Sequence, residues 1–317
     1  MDARQKTIAP KKPKPPCQPL VARDWTVWWK MLRPHTLTAS FVPVAVGTAL
    51  SLPAAQFRPS LFLAMLAASI FIQAATNMFN EYYDYRSGLD DTQSVGIGGT
   101  IVRHGVAPRT VLAIALALFG AAFLLGLYLC SQTSWWLLPV GLACAAVGYL
   151  YSGGPYPISA TPFGELAAGA AMGLGIISIS FFIQTGAVTA ASILVSVPTS
   201  VLIGAILMAN NIRDRDKDRE HGRQTLAIRL GKNRAIACLA GMFALAYAWV
   251  PFLIAAGVVG PWTLLSVLSL PKPIQAIKGF RRHTSPEAMM PAMVATAQTN
   301  TLFGLGLALG LFIEYWL

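Results

Sequence analysis

Apolar residues in this chain come in long blocks, with polar residues collected between them. Nine blocks can be drawn, at roughly 35–53, 60–80, 109–130, 135–151, 164–184, 190–210, 234–257, 259–275 and 296–317. Most approach the ~20 residues that an α-helix needs to cross ~30 Å of hydrocarbon, although the fourth and eighth are short. The pattern predicts an all-α, polytopic membrane protein of about nine transmembrane helices around a common interior. Two polar stretches stand out because each follows directly on an apolar block. In residues 77–91 (NMFNEYYDYRSGLDD), Asn77, Asn80, Glu81 and Asp84 fall at i, i+3, i+4 and i+7, along one face of a helix that continues past the block. Gly88 is the expected helix end, with Asp90 and Asp91 beyond it. Residues 210–223 (NNIRDRDKDREHGR) repeat the arrangement, with Asn210 and Asp214 four apart and Asp218 one turn on.

Composition strengthens the membrane reading. The chain is 55% hydrophobic and 12% charged, against about 25% charged in soluble proteins, and its mean hydropathy is +0.56. The net charge of +11 is what basic cytoplasmic loops would give, and no soluble domain is left over for nucleic acid, which is not an expected partner. Cys17, Cys130, Cys144 and Cys238 form no CxxC pair, and His35, His104, His221 and His283 form no metal motif. Residues 1–24 are basic and proline-rich and are expected to be a disordered tail, without the apolar core of a signal peptide. Trp25, Trp28 and Trp29 beside Lys30 and Arg33 suit an interfacial approach to the bilayer.

Charge placement orients the chain. With the N-terminus inside, cytoplasmic segments hold eight Lys/Arg in the leading segment, three around 80–109, eight in 211–234 and four in 272–282, leaving only Arg58 outside. Both acidic stretches then face the cytoplasm from the cell membrane. Asn80 and Asn210 are 130 residues apart, which suggests two related four-helix halves, about 35–151 and 164–275, followed by a ninth helix at 296–317. Together they form a single membrane domain over 25–317.

A carboxylate at the centre of a spanning helix costs about 2.5–3.5 kcal/mol, and less near the interface. Asp91 and Asp216 read equally well as solvated loop charges. Asp84, Asp90, Asp214 and Asp218, recurring with amides at helical spacing, point to an all-oxygen site of the kind that suits Mg2+. Magnesium takes one or two carboxylates and completes its shell with water and phosphate oxygens, so two clusters facing each other suit a diphosphate held through two or more ions. Arg213, Arg215, Lys217 and Arg223 are candidates for the remaining phosphate charge. Ions that hold a departing diphosphate promote ionisation. If the other end of that substrate is a long hydrocarbon, an allylic cation forms in the membrane and calls for aromatic faces, from Tyr82, Tyr83, Tyr85, Tyr149, Tyr151 and Tyr156.

At these stretches the chain resembles the UbiA superfamily of intramembrane aromatic prenyltransferases, which carry an NxxxDxxxD-type motif and a DxxxD motif at the cytoplasmic ends of the second and sixth helices. The second motif is intact as Asp214 and Asp218. The first departs from the commonest form, because Gly88 stands four residues after Asp84 and the next carboxylate is Asp90. That spacing, with SVGIGGTIVRHG (94–105), GYLYSGGPYPISATPFGEL (148–166), SLPKPIQAIKGF (269–280) and TAQTNTLFG (296–304), is similar to the branch that prenylates 1,4-dihydroxy-2-naphthoate, over essentially all of the chain after residue 25. The resemblance implies a nine-helix bundle around a central cavity. It also implies transfer of a polyprenyl group from a polyprenyl diphosphate to the carboxylate-bearing carbon of the naphthoate, with loss of CO2 and diphosphate, giving demethylmenaquinone. By motif, Asn80, Asp84, Asp90, Asp214 and Asp218 are the implied Mg2+–diphosphate residues, with at least two ions. Asn77, Asn211, Arg103 and Tyr151 are secondary candidates. Arg33 with His35, or Arg103 with His104, are candidates to hold the acceptor carboxylate. Another aromatic acceptor, 4-hydroxybenzoate or homogentisate, is the nearest alternative. A transporter is the alternative from another class, disfavoured because the acidic clusters sit at helix ends and not at the midplane.

Overall fold

The computed structural model describes residues 25–88, 100–153 and 156–317 of the chain. The expected tail at 1–24, together with Asp90, Asp91 and the glycines at 98 and 99, lies outside the described residues, as does the side chain of His35. The described chain is helical, with no strand. Six helices are long and apolar enough to cross a membrane, and two shorter apolar helices, Thr36–Ser51 and Leu137–Tyr151, correspond to the first and fourth expected blocks.

Helix α1 (Trp25–Leu32) leads through Arg33 into α2 (Pro34–Ser51). Helix α3 (Pro59–Ser87) opens with proline in its first turn and closes at Gly88, whose φ of 76° is the left-handed conformation that glycine adopts without a Cβ clash. Its 29 residues span ~43 Å, more than the ~30 Å of hydrocarbon, so the last turns project beyond it. A short α4 (Thr100–His104) precedes α5 (Pro108–Gln132) and α6 (Leu137–Ser152). The fifth expected block is a continuous helical rod of α7 (Gly164–Ala168), a π-helical segment Gly169–Gly175 and α8 (Ile176–Thr185). Gly173 in the π segment lies against Ser200, so close that any Cβ would overlap that residue's backbone.

Helix α9 (Ala190–Glu220) starts from a capping box between Thr189 and Ser192 and runs 31 residues, again well past its apolar part. After α10 (Leu226–Leu230) and α11 (Lys232–Ala255) comes the main departure from the expected elements. The eighth block is a nine-residue 3-10 helix, Pro261–Ser269, followed by the amphipathic α12 (Pro271–Arg282). In the 3-10 stretch Thr263, Ser266 and Ser269 recur every third residue. Each is buried, and each hydroxyl donates to the carbonyl three residues back, a stripe that the threefold repeat of a 3-10 helix aligns. By length and composition alone, six of the described helices qualify as membrane spans, with two shorter apolar helices beside them. The last helix, α13 (Pro286–Trp316), also begins ten residues before the expected 296, because Ser285 caps it by accepting the Ala288 N–H and Pro286 fills its first turn.

The largest core cluster ties α9 (Leu202, Met208) to α11 (Leu239), α12 (Phe280) and α13 (Phe303). A smaller one docks α1 and α4 on the end of α3 through Met31, Met78 and Ile101, all essentially fully buried. At about 1.5–3 kcal/mol per buried side chain, these residues contribute to holding two short segments over the polar end of α3. Elsewhere the surface is apolar. Leu124 and Leu142 face outward, and Trp136 and Trp316 are exposed near helix ends, as expected of a chain solvated by lipid with an aromatic interfacial belt.

Candidate active site

The projecting ends of α3 and α9 face one another. Asn77, Asn80 and Asp84 from α3 and Asn210, Asn211, Arg213, Asp214, Lys217 and Asp218 from α9 line one cavity. Both i, i+4 series expected from the sequence thus turn towards the same space. Beyond α9 the chain reverses at Gly222, whose φ is 78°. The Arg223 N–H donates to the Asp218 carbonyl at 3.0 Å, and the Gln224 N–H to that of Ala160 at 2.8 Å. This turn carries the Arg223 guanidinium between the two motifs, 3.2 Å from Asp84 and 3.5 Å from Asp218. Carboxylates 134 positions apart in sequence therefore converge on one cationic group. Asp214 has a cation of its own, the Arg213 guanidinium, which donates to its two oxygens at 2.8 and 2.5 Å.

The cavity has a volume of about 520 Å³, within the range of small-molecule sites. On α3 it extends from Asp84 down to Met65, ~28 Å along the helix axis. Below the polar end its walls are apolar, among them Ile72, Phe119, Phe123, Leu127, Leu138 and Met172. The polar end carries Arg33, Arg103, Arg213, Lys217 and Arg223 against Asp84, Asp214 and Asp218, five cations to three carboxylates among the described lining residues. Such a surplus favours a polyanion.

The remaining expected residues divide. Arg33, Arg103 and Tyr151 line the cavity; His104 and Arg215 do not. Arg215 pairs outward with Asp216, whose side chain is 76% exposed, so that aspartate is a solvated charge. Of the six tyrosines considered as aromatic walls, only Tyr151 lines the cavity. Tyr83 instead stacks edge-on against Tyr82 and Tyr149, and Tyr156 is 89% exposed. The aromatic faces missed by sequence reasoning are Phe119 and Phe123, one turn apart on α5, where a phenylalanine in an apolar block carries no signal of which way it faces.

Two carboxylates are buried away from these ion pairs. Glu165 accepts from the Asn211 amide at 2.8 Å. Glu81, 1% exposed, turns from the cavity and accepts from the Thr100 hydroxyl and the Ile101 N–H, fixing the start of α4 two residues before Arg103. Glu81→Ala leaves those buried donors unmet, at about 1–3 kcal/mol. It is expected to speed tryptic cleavage at Arg103 in detergent-solubilised protein, whereas Glu81→Gln retains the protection. An unchanged digestion rate in Glu81→Ala would show that α4 is held by other contacts.

The residues fit magnesium. Asn80, Asp84, Asp214 and Asp218 offer only oxygen, as a hard cation requires, and a positive group already sits between Asp84 and Asp218 in the form of Arg223. Among the described residues no three His, Cys, Asp or Glu side chains are grouped so that they could hold a metal ion by themselves. A metal held here must complete its shell with other ligands, which is magnesium's usual habit with phosphates.

A helical membrane bundle that closes a long apolar cavity with carboxylates, amides and excess cationic charge suits an amphiphilic substrate with an apolar chain and an anionic head. Residues 40–293 match the UbiA prenyltransferase family, and the chain belongs to it. It is 53% identical over 290 residues to the 1,4-dihydroxy-2-naphthoate octaprenyltransferase of Bacillus subtilis, covering 92% of this chain and 93% of that one. Its fold is that of a UbiA homolog from Aeropyrum pernix K1, with a TM-score of 0.67 at 18% identity over 89% of this chain and 98% of that one. It is also that of a UbiA homolog from Archaeoglobus fulgidus solved with DMAPP and Mg2+, with a TM-score of 0.59 at 17% identity over 88% and 98% of the two chains.

Proposed function

We propose that this protein transfers a polyprenyl group from an allylic polyprenyl diphosphate to 1,4-dihydroxy-2-naphthoate, releasing CO2 and diphosphate and forming demethylmenaquinol, the reduced form of demethylmenaquinone. The observation that carries the donor half is the convergence of Asp84 and Asp218 on one cation above a long apolar cavity. The 53% identity to the Bacillus subtilis enzyme supports the acceptor.

Asn80, Asp84, Asp90, Asp214 and Asp218 would hold Mg2+, with two or more ions in all. Bound there, the ions neutralise the diphosphate and so favour its departure. Arg223 and Arg213 each pair with a carboxylate at this end, and the phosphate oxygens of an incoming diphosphate would compete for both guanidiniums. Lys217 adds a third cation at the same end. The apolar walls hold the prenyl chain and keep water from the allylic cation, which faces the rings of Tyr151, Phe119 and Phe123. Arg33 and Arg103 supply the ion-pair partners for the acceptor carboxylate. The new C–C bond forms at the ring carbon bearing that carboxylate; as CO2 leaves, the electron pair of the broken bond restores the aromatic ring. With the N-terminus in the cytoplasm, both motifs face the side where the naphthoate is dissolved.

Purified protein given Mg2+, an allylic polyprenyl diphosphate and either acceptor is expected to prenylate 1,4-dihydroxy-2-naphthoate and to leave 4-hydroxybenzoate largely unreacted. The acceptor assignment is falsified if the preference is reversed.

A further inference from the structure

Arg33 is the one non-glycine with a positive φ among the described residues, at φ 50° and ψ 65°. It joins α1 to α2, and the following Pro34 disfavours the right-handed helical alternative at this position. A turn of this shape needs something to hold it, and the structure supplies Asn77. The Asn77 side-chain amide donates to the Leu32 carbonyl at 3.0 Å and to the Thr36 hydroxyl at 2.9 Å, the groups flanking Arg33 on either side. The Thr36 hydroxyl in turn donates to the Arg33 carbonyl at 2.9 Å. Gln73, one turn earlier on α3, donates to the Asn77 side-chain oxygen at 3.2 Å and sets which way the amide points. Asn77 is 3% exposed, and both its donor hydrogens are engaged by the chain itself. Arg33 lines the cavity, and its Nε is buried with no hydrogen-bond partner among the described residues.

We infer that Asn77 is a positioning residue for the acceptor: it locks the α1–α2 turn so that the Arg33 guanidinium is presented to the carboxylate of the incoming aromatic acid, and it is not a ligand of the metal–diphosphate unit. This rests on the reading of Arg33 as a partner of that carboxylate. It divides the polar end of α3 by function, with Asn80 and Asp84 on the donor and Asn77 serving the acceptor.

The test is steady-state kinetics of the full chain in detergent or proteoliposomes, varying naphthoate, polyprenyl diphosphate and Mg2+ separately. Arg33→Met is expected to raise the naphthoate KM by about tenfold or more, and Asn77→Leu by a similar factor, with donor KM and Mg2+ activation within about twofold of the parent. The double variant is expected to be no worse than Arg33→Met alone, since both changes remove one arrangement. Thr36→Val, which takes away one anchor of the Asn77 amide at nearly constant volume, is expected to move the same KM by a smaller factor, and it decides the matter if Asn77→Leu does not fold. An Asn77→Leu effect on donor KM or Mg2+ requirement would overturn the inference, as would full additivity with Arg33→Met. If Arg33→Met raises the naphthoate KM and neither Asn77→Leu nor Thr36→Val does, only the positioning role fails. If Arg33→Met leaves it unchanged, the carboxylate reading fails and the inference falls with it.

Discussion

Asp214→Ala and Asp84→Ala are each expected to lower prenyl transfer by about a thousandfold or more, in protein that inserts and extracts normally. Removing one preorganised electrostatic group from a charge-stabilising site typically costs about 10²–10³ in rate, and each of these carboxylates serves twice. On the proposed function each would be an oxygen donor for the ions that hold the diphosphate, and each keeps an arginine in place: Asp214 the Arg213 guanidinium, Asp84 that of Arg223. Asp216→Ala is the matched control. Its carboxylate pairs outward with Arg215 and is largely exposed, so its loss is expected to leave the rate within about twofold. Formation of prenylated naphthoquinone in membranes, normalised to the amount of protein, checks all three. A near-parental rate for Asp84→Ala or Asp214→Ala would return that residue to the solvated loop.

Removing divalent cations is expected to abolish turnover, by about a hundredfold or more, and adding Mg2+ back to restore it. Without the metal, a diphosphate approaching this end of the cavity meets carboxylates that compete with it for the same cations. Chelation is not expected to lower the thermal stability of the protein in detergent, because the Arg223 guanidinium lies within ion-pair distance of both Asp84 and Asp218 and compensates their charge. Loss of activity with an unchanged unfolding temperature therefore separates a catalytic ion from a structural one. Full turnover in excess chelator would remove magnesium from the mechanism.

Much of the site was legible because helical periodicity is local. The spacing of Asn77, Asn80 and Asp84, and of Asn210, Asp214 and Asp218, forces each set onto one side of a helix, and in the structure both sets line the cavity. Periodicity cannot tell a side chain that meets a ligand from one that meets another segment of the same chain. Asn77 and Glu81 share the α3 stretch with Asp84, yet Asn77 is bonded across the Arg33 turn and Glu81 to the start of α4. The tyrosines were misjudged for the same reason, since Tyr83 and Tyr149 pack on each other, while Phe119 and Phe123 face inward from a block whose residues are almost all apolar.

The fold class, the membrane and the two acidic motifs followed from the sequence by itself. A 55% hydrophobic chain in blocks long enough to span a bilayer has one stable solution, helices that satisfy their own backbone hydrogen bonds. Charged groups in such a chain are too costly to place without a use. Tertiary structure alone decided the 3-10 geometry of the eighth segment, the meeting of Asp84 and Asp218 at Arg223, and which arginines reach the cavity. Those outcomes depend on contacts between residues up to 139 positions apart, and no pattern within a single helix carries them.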